Sequence, residues 1–324
     1  MKLSKLSQTV LSMGLLASSG FTVAQAADEN VPLGFTPETF DSMYNKEIDT
    51  DFVQTVVSSL PERIVNQEFI SSNYDATLSL NADNSTVSVS FISEGAGYKN
   101  SVGYYTFNDG AFDGLTKANV DTNGNGGISI VELDNLEGVN AGWLFPNSSA
   151  LNSGGMLQVG NTMDVAGLNA NQNIGFFLLP DAWNGNTVDG IGTREAYFTH
   201  DFLNPESWAG AASDGSSIAP AYWDGPGSWG DLSKTGYNAD GSFSHTTLLA
   251  SPTNGEEVIL SFEDLKYGGD KDYNDAVFMI ISTPANAFGD LNIATAPVPS
   301  LSGGVFGLLG TIGVMMMGGR RRKA

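Results

Sequence analysis

The 324-residue sequence contains no cysteine, only two histidines, and 14 lysines and arginines against 36 aspartates and glutamates. Without cysteine there are no disulfides, no thiolate zinc sites and no thiol nucleophile. The histidines are His200 and His245. His200 is followed by Asp201, but neighbours on a strand point to opposite faces, so the pair is a poor base and orienter. HExxH, GxSxG and P-loop patterns are absent. Gly225–Gly230 has GxGxxG spacing, yet Pro226, Trp229 and the lack of a following helix make it a loop. No enzyme activity is expected. The shortage of basic residues excludes nucleic acid, which needs a cationic footprint, and disfavours an anionic membrane surface. A formal charge of −22 suits divalent cations, or the solubility of an exported chain.

Six of the 14 basic residues lie in the two ends, which contain no acids. Residues 1–26 have a basic start (Lys2, Lys5), an apolar stretch over Val10–Leu16 and the small-x-small pattern Ala24-Gln25-Ala26. They read as a secretory signal peptide cut between Ala26 and Ala27, the alternative being an uncleaved anchor. Residues 301–324 comprise an apolar stretch, Leu301–Gly319, followed by Arg320, Arg321, Arg322 and Lys323. That stretch is long enough for one tilted apolar transmembrane helix with its basic end in the cytoplasm.

Between the ends, residues 27–72 read as a helical lead-in. Thr36-Pro37-Glu38 is a helix start, and apolar residues recur at helical spacing from Phe40 to Leu60, before Pro61. Over residues 73–283 the period changes to two. Short alternating strands are expected at 77–80, 86–92, 102–107, 142–145, 174–179, 196–198, 246–249, 258–262 and 276–281, joined by Gly, Asn, Asp and Ser. This predicts an all-β antiparallel sandwich or jelly roll. Residues 284–300 read as a Pro/Ala-rich linker.

Two oxygen-rich loops interrupt the strands. The first, 263–275, packs five carboxylates into thirteen residues between two apolar strands. Like charges so crowded repel unless a cation joins them. Glu263, Asp264, Asp270, Asp272, Asn274 and Asp275 offer only oxygen, which favours Ca2+; a solvated acidic hairpin is the alternative. The second, 121–132, fits the twelve-residue EF-hand loop: Asp121, Asn123 and Asn125 at places one, three and five, Gly126 at the turn, Gly127 at seven, Ser129 at nine and Glu132 at twelve. Its flanks allow only short helices, so a solitary inserted calcium loop is expected, or else an Asn/Gly turn. With two charged ligands its affinity would be on the order of 10⁻⁴ M or weaker. A third segment, 205–231, carries Trp208, Tyr222, Trp223 and Trp229. These can stack on sugar rings or plug the ends of the sandwich.

Phe262-Glu263-Asp264-Leu265 followed by Gly-Gly-Asp-Lys-Asp-Tyr-Asn-Asp-Ala-Val-Phe resembles the signature of DUF4114-like domains, exported bacterial domains found in LruC-type proteins. Glu94–Tyr105, Phe145–Ser149, Ser153–Gly155 and Ile174–Leu178 resemble the same family. The resemblance runs over about residues 60–283. It implies a β-rich fold, export and a calcium site at Glu263, Asp264, Asp270, Asp272 and Asp275, and it implies no enzyme activity. The short Pro297–Ser300 motif, apolar span and Arg cluster resemble the PEP-CTERM and GlyGly-CTERM sorting tails of exosortase and rhombosortase substrates; a plain membrane anchor is the alternative. That resemblance implies an inner-membrane sorting protease as a partner, transient anchoring in the inner membrane of a Gram-negative bacterium, and final release to the cell surface or outside it. The expected function is a calcium-binding structural or adhesive protein of the surface or matrix, touching polysaccharide or matrix components. The alternative is a calcium-dependent carbohydrate-binding module.

Overall fold

The computed structural model describes residues 42–62, 78–204, 245–251, 257–265, 272–289 and 294–295. Twelve strands lie in two sheets, with three short α-helices and one 3-10 turn among the described residues. The strands are β1 (Tyr44–Asn45), β2 (Leu78–Ser79), β3 (Ser85–Ser93), β4 (Ser101–Asn108), β5 (Val139–Phe145), β6 (Asn161–Leu168), β7 (Gln172–Leu179), β8 (Tyr197–Phe198), β9 (Thr246–Ala250), β10 (Val258–Phe262), β11 (Ala276–Thr283) and β12 (Ala294–Thr295). The helices are α1 (Thr50–Ser59), α2 (Lys117–Val120) and α3 (Ile130–Asp134).

The larger sheet runs β1-β6-β3-β11-β10-β9-β12 and the smaller β2-β7-β4-β5, with β8 against β7. Pairing is antiparallel except for β12 beside β9. The inner faces share one core. Val87, Val89 and Phe91 of β3, Leu260 and Phe262 of β10 and Phe278 and Ile280 of β11 meet Phe145 of β5 and Ile174, Phe176 and Leu178 of β7. Phe145 stacks on Phe278 at 5.4 Å.

Both outer faces are covered too, which is why the central strands are apolar at nearly every position rather than at alternate ones. Ile259, Val277 and Met279 pack under Phe52, Val56 and Leu60 of α1. Tyr105, Phe107, Trp143, Phe177 and Leu179 pack under the segments 111–139 and 182–203. Glycines in the smaller sheet admit the large rings: a Cβ on Gly175 would overlap the ring of Tyr105, and one on Gly103 the ring of Phe177.

The expected all-β sandwich is therefore present, with mostly antiparallel strands. Several elements differ from expectation. Tyr44 and Asn45, expected within a helix, pair with Thr162 and Asn161 of β6. Only Thr50–Ser59 of the lead-in is helical; Asp49 caps it by accepting the Phe52 N–H at 3.0 Å. Strand β6 was not anticipated. Ala287 and Phe288, inside the Pro/Ala-rich stretch, are buried in the central core, and β12 adds a strand beyond them. The helix start at Thr36, the signal segment with Ala26 and Ala27, and the apolar tail all lie outside the described residues. Among the described residues no helix is long and apolar enough to cross a membrane.

Candidate metal centre

The turn from β10 to β11 begins with Phe262 fully buried, so Glu263 and Asp264 follow the strand directly into the protein. Glu263 is completely buried, Asp264 is 4% exposed and Asp275 is half-buried. One carboxylate oxygen from each lies within 4.8 Å of the others. The backbone sets this geometry. The Asp275 N–H donates to the Phe262 carbonyl at 3.2 Å, closing the hairpin, and the Asp264 N–H donates to Asp275 Oδ2 at 2.7 Å. The Glu263 N–H donates to the His245 carbonyl at 2.9 Å, tying the turn to β9. Oxygen atoms at this spacing can hold a metal ion.

Loops from elsewhere close over the turn. The Asn100 side-chain amide donates to Asp264 Oδ2 at 2.7 Å, and Gly95 N–H donates to the Asn274 carbonyl at 3.0 Å. A Cβ on Gly95 would overlap the Asn274 side chain, so only glycine lets the 94–100 loop approach so closely. Beside it stands Glu94. Its Oε2 accepts the Ala150 N–H at 3.2 Å, while its Oε1 is buried without a hydrogen-bond partner. Burial pushes the Glu94 carboxyl above the ordinary range, and the negative charge of Asp264 pushes it the same way. A fourth carboxylate therefore lies close enough to feel the cluster.

Asp272 is 1% exposed but is not part of the cluster. Its two oxygens accept from Asn274, from the backbone N–H at 3.1 Å and the side-chain amide at 3.0 Å. The pair shapes the turn around Tyr273, whose φ of 56° is left-handed. Asp270 lies outside the described residues. Glu94 was absent from the expected ligands. Its motif was visible, but its position beside residues 170 places later in the chain follows only from the pairing of β3 with β11.

The 121–132 loop lies on the opposite outer layer. Its side chains cap its own backbone. Asp121 Oδ2 accepts from Gly126 N–H at 3.0 Å, Asn123 Oδ1 from Asn125 N–H at 2.9 Å and Asn125 Oδ1 from Gly127 N–H at 2.9 Å. Ser129 caps α3, and Glu132 returns its carboxylate to the Ser129 N–H at 3.0 Å and the Asn123 N–H at 2.9 Å. All six expected oxygen donors are thus within one folded loop. Asp121 and Glu132 are both buried, while Asn123 and Asn125 are exposed. Trp208, Tyr222, Trp223 and Trp229 lie outside the described residues. His200 packs edge-on against Phe112 at 4.8 Å, as part of an aromatic layer.

A family model described as "Domain of unknown function (DUF4114)" matches residues 168–283. The match runs from the end of β6 to the end of β11 and contains Glu263, Asp264 and Asp275. It stops short of Glu94 and Asn100, which fall within the wider resemblance seen in the sequence, and of the 121–132 loop, which departs from that family's pattern. No curated protein and no solved structure matches the chain.

Proposed function

We propose that this chain is a calcium-dependent structural or adhesive protein, exported by a Gram-negative bacterium and held at or released from its surface. The observation that carries this reading is the meeting of Glu263, Asp264 and Asp275 within 4.8 Å, on a turn where two of the three are buried. Buried carboxylates that close repel one another strongly unless a cation neutralises them. Oxygen-only donors, together with the carboxylate of Glu94, favour calcium, which accepts irregular sets of six to eight oxygens; magnesium demands a tighter octahedron. The 121–132 loop supplies a second, weaker calcium position.

The ion's role is to stitch. The turn it fills touches β9, the 94–100 loop and, through Asn274, the carbonyl of Leu60 at the end of α1. Filling it would fasten loops from both sheets at one end of the sandwich, a binding and structural role rather than a catalytic one. Export follows from the signal-like segment, and surface retention from the sorting-like tail.

The test is calcium titration of the purified protein, following its melting temperature, with bound metal identified by mass spectrometry. Calcium should raise the melting temperature and Asp264→Ala should abolish most of the rise. The same melting temperature in chelator as in millimolar calcium, with no bound ion, would refute the reading. Deletion of the gene in its host, followed by attachment and biofilm assays, tests the adhesive part.

A further inference from the structure

The two candidate metal loops sit on different layers, yet a series of hydrogen bonds, linked by short stretches of backbone, joins them. From the hairpin, Asp264 Oδ2 accepts from Asn100 Nδ2 at 2.7 Å. The other end of that amide, Asn100 Oδ1, accepts the Asp181 N–H at 3.0 Å. The Asp181 carbonyl in turn accepts from Arg194 Nη1 at 2.9 Å, as does the Pro180 carbonyl at the same distance. Arg194 belongs to a strap, 191–196, that is bonded to the other loop at three points. The Asn125 side-chain amide donates to the Thr193 carbonyl at 3.3 Å, the Ala196 N–H to the Ile128 carbonyl at 3.0 Å, and the Val131 N–H to the Ile191 carbonyl at 3.3 Å. Glu195 lies directly over Gly127, where a Cβ would come within 2.9 Å of its side chain.

The middle of this series is a strained residue. Asp181 has φ 46°, left-handed for a residue with a Cβ, and it is gripped on both sides: its amide by Asn100 and its carbonyl by Arg194. A residue in that conformation is sparsely populated unless its surroundings hold it. Releasing either grip allows Asp181 to leave the left-handed region. Asn100 then loses the bond that aims its amide at Asp264.

We infer that occupancy of the 121–132 loop strengthens calcium binding at the Glu263, Asp264 and Asp275 cluster, through Arg194, Asp181 and Asn100. This rests on the proposed reading of both loops as calcium positions and adds their regulation. An ion in the 121–132 loop draws in the Asn125 side-chain oxygen, whose amide nitrogen holds one of the strap's three attachment points, and the Gly127 carbonyl, next in the chain to the Ile128 carbonyl that holds another. The strap then holds Arg194 in register, and the Asp181 turn keeps Asn100 aimed. Arg194 and Asn100 are positioning residues, neither a ligand of either ion. Coupling of this kind is reciprocal, so the hairpin site strengthens the loop equally.

The test is calorimetric calcium titration of the full chain. The wild type should bind at both positions. Asp121→Ala, which removes a charged ligand of the 121–132 loop together with its cap on the Gly126 N–H, should weaken the hairpin site by about fivefold or more. Arg194→Gln should leave the hairpin at that weaker affinity, and adding Asp121→Ala to it should change nothing further. Arg194→Lys, which can still donate to the same carbonyls, should restore the difference. Circular dichroism in chelator establishes that each variant is folded, and Arg194→Lys keeps the test open if Arg194→Gln is not. The inference is overturned if hairpin affinity in Asp121→Ala stays within about twofold of the wild type, or if the difference survives Arg194→Gln. Binding of a single ion, at the hairpin alone, overturns the coupling and leaves the hairpin reading intact. No binding at all overturns both.

Discussion

The hairpin turn at 263–275 and the loop at 121–132 look alike as sequence, both short, rich in side-chain oxygens and carrying glycine, but they are built in opposite ways. In the loop, side-chain oxygens are spent on neighbouring backbone N–H groups two to five residues away. It can hold its shape with no ion. In the hairpin, the strand register of β10 and β11 forces carboxylates together, and loops from distant parts of the chain seal them in. That turn is assembled by tertiary structure against its own charge. We expect an acidic cluster's dependence on metal to follow from what brings the acids together: local turns that cap them leave them relaxed, and long-range packing leaves them repelling.

The widest gap between the two regions should appear on removing metal. Calcium present at a hundredfold excess over its dissociation constant stabilises a folded protein by about 2.7 kcal/mol. For a body of this size that corresponds to a rise in melting temperature of roughly 5–10 °C. Nearly all of it should come from the hairpin, so Asp264→Ala should remove it. If Asp121→Ala removed an equal share, the contrast between the loops would be wrong.

Glu94 sharpens the comparison because its charge should matter in opposite directions with and without calcium. Its carboxyl is raised by burial and by Asp264. A carboxyl raised on folding stabilises fully at pH below its ordinary range and loses that contribution as the pH climbs through its folded value. Metal-free protein should therefore lose stability as the pH rises above about 4.5, with a slope that Glu94→Gln reduces. At pH 7, Glu94→Gln should raise the metal-free melting temperature by about 1 °C, after allowance for solvent screening of a half-exposed group. It should also cut the calcium-induced rise by roughly half, one of four negative charges being gone. A fall in both states would make Glu94 a structural acceptor for Ala150 rather than a member of the site.

How much of this was legible in the sequence depends on the range of the interaction. The central strands were plain because Ala276–Ile281 is apolar throughout and Val258–Phe262 is apolar but for Ser261. In the 121–132 loop the oxygen donors could be read because their spacing is local. Strand β6 was missed: Asn161–Leu168 mixes Asn, Thr, Asp and Gly with its apolar residues, and Gly167 is left-handed, so neither period stands out. Tyr44 and Asn45 were absorbed into a helical spacing, since a two-residue strand has no period of its own; only β6 makes it a strand. In the hairpin, the crowding of acids could be read, but not which would converge. Asp272 turns to Asn274, and Glu94 arrives from β3.

The loop's own construction predicts a smaller and metal-independent effect at Gly126. Its φ of 95° is unfavourable to any residue with a Cβ, although the space around it is open. Gly126→Ala should lower stability by about 1 kcal/mol, or roughly 2–4 °C, equally in calcium and in chelator. A loss seen only in calcium would mean that the ion, and not the turn, sets this backbone.

The smallest effect belongs to Asp121→Asn, and it separates charge from shape. Asparagine keeps an oxygen in place to accept the Gly126 N–H, so the turn survives. In chelator the melting temperature should match the wild type within about 1 °C, because no hydrogen bond to the backbone is lost. In calcium the variant should lose the weak phase of binding and leave only the hairpin ion, since one of the loop's two charged ligands is gone. Melting in chelator resolves the question without any binding measurement. A drop of several degrees there would show that the carboxylate itself holds the loop, and the 121–132 turn would then depend on charge as the hairpin does.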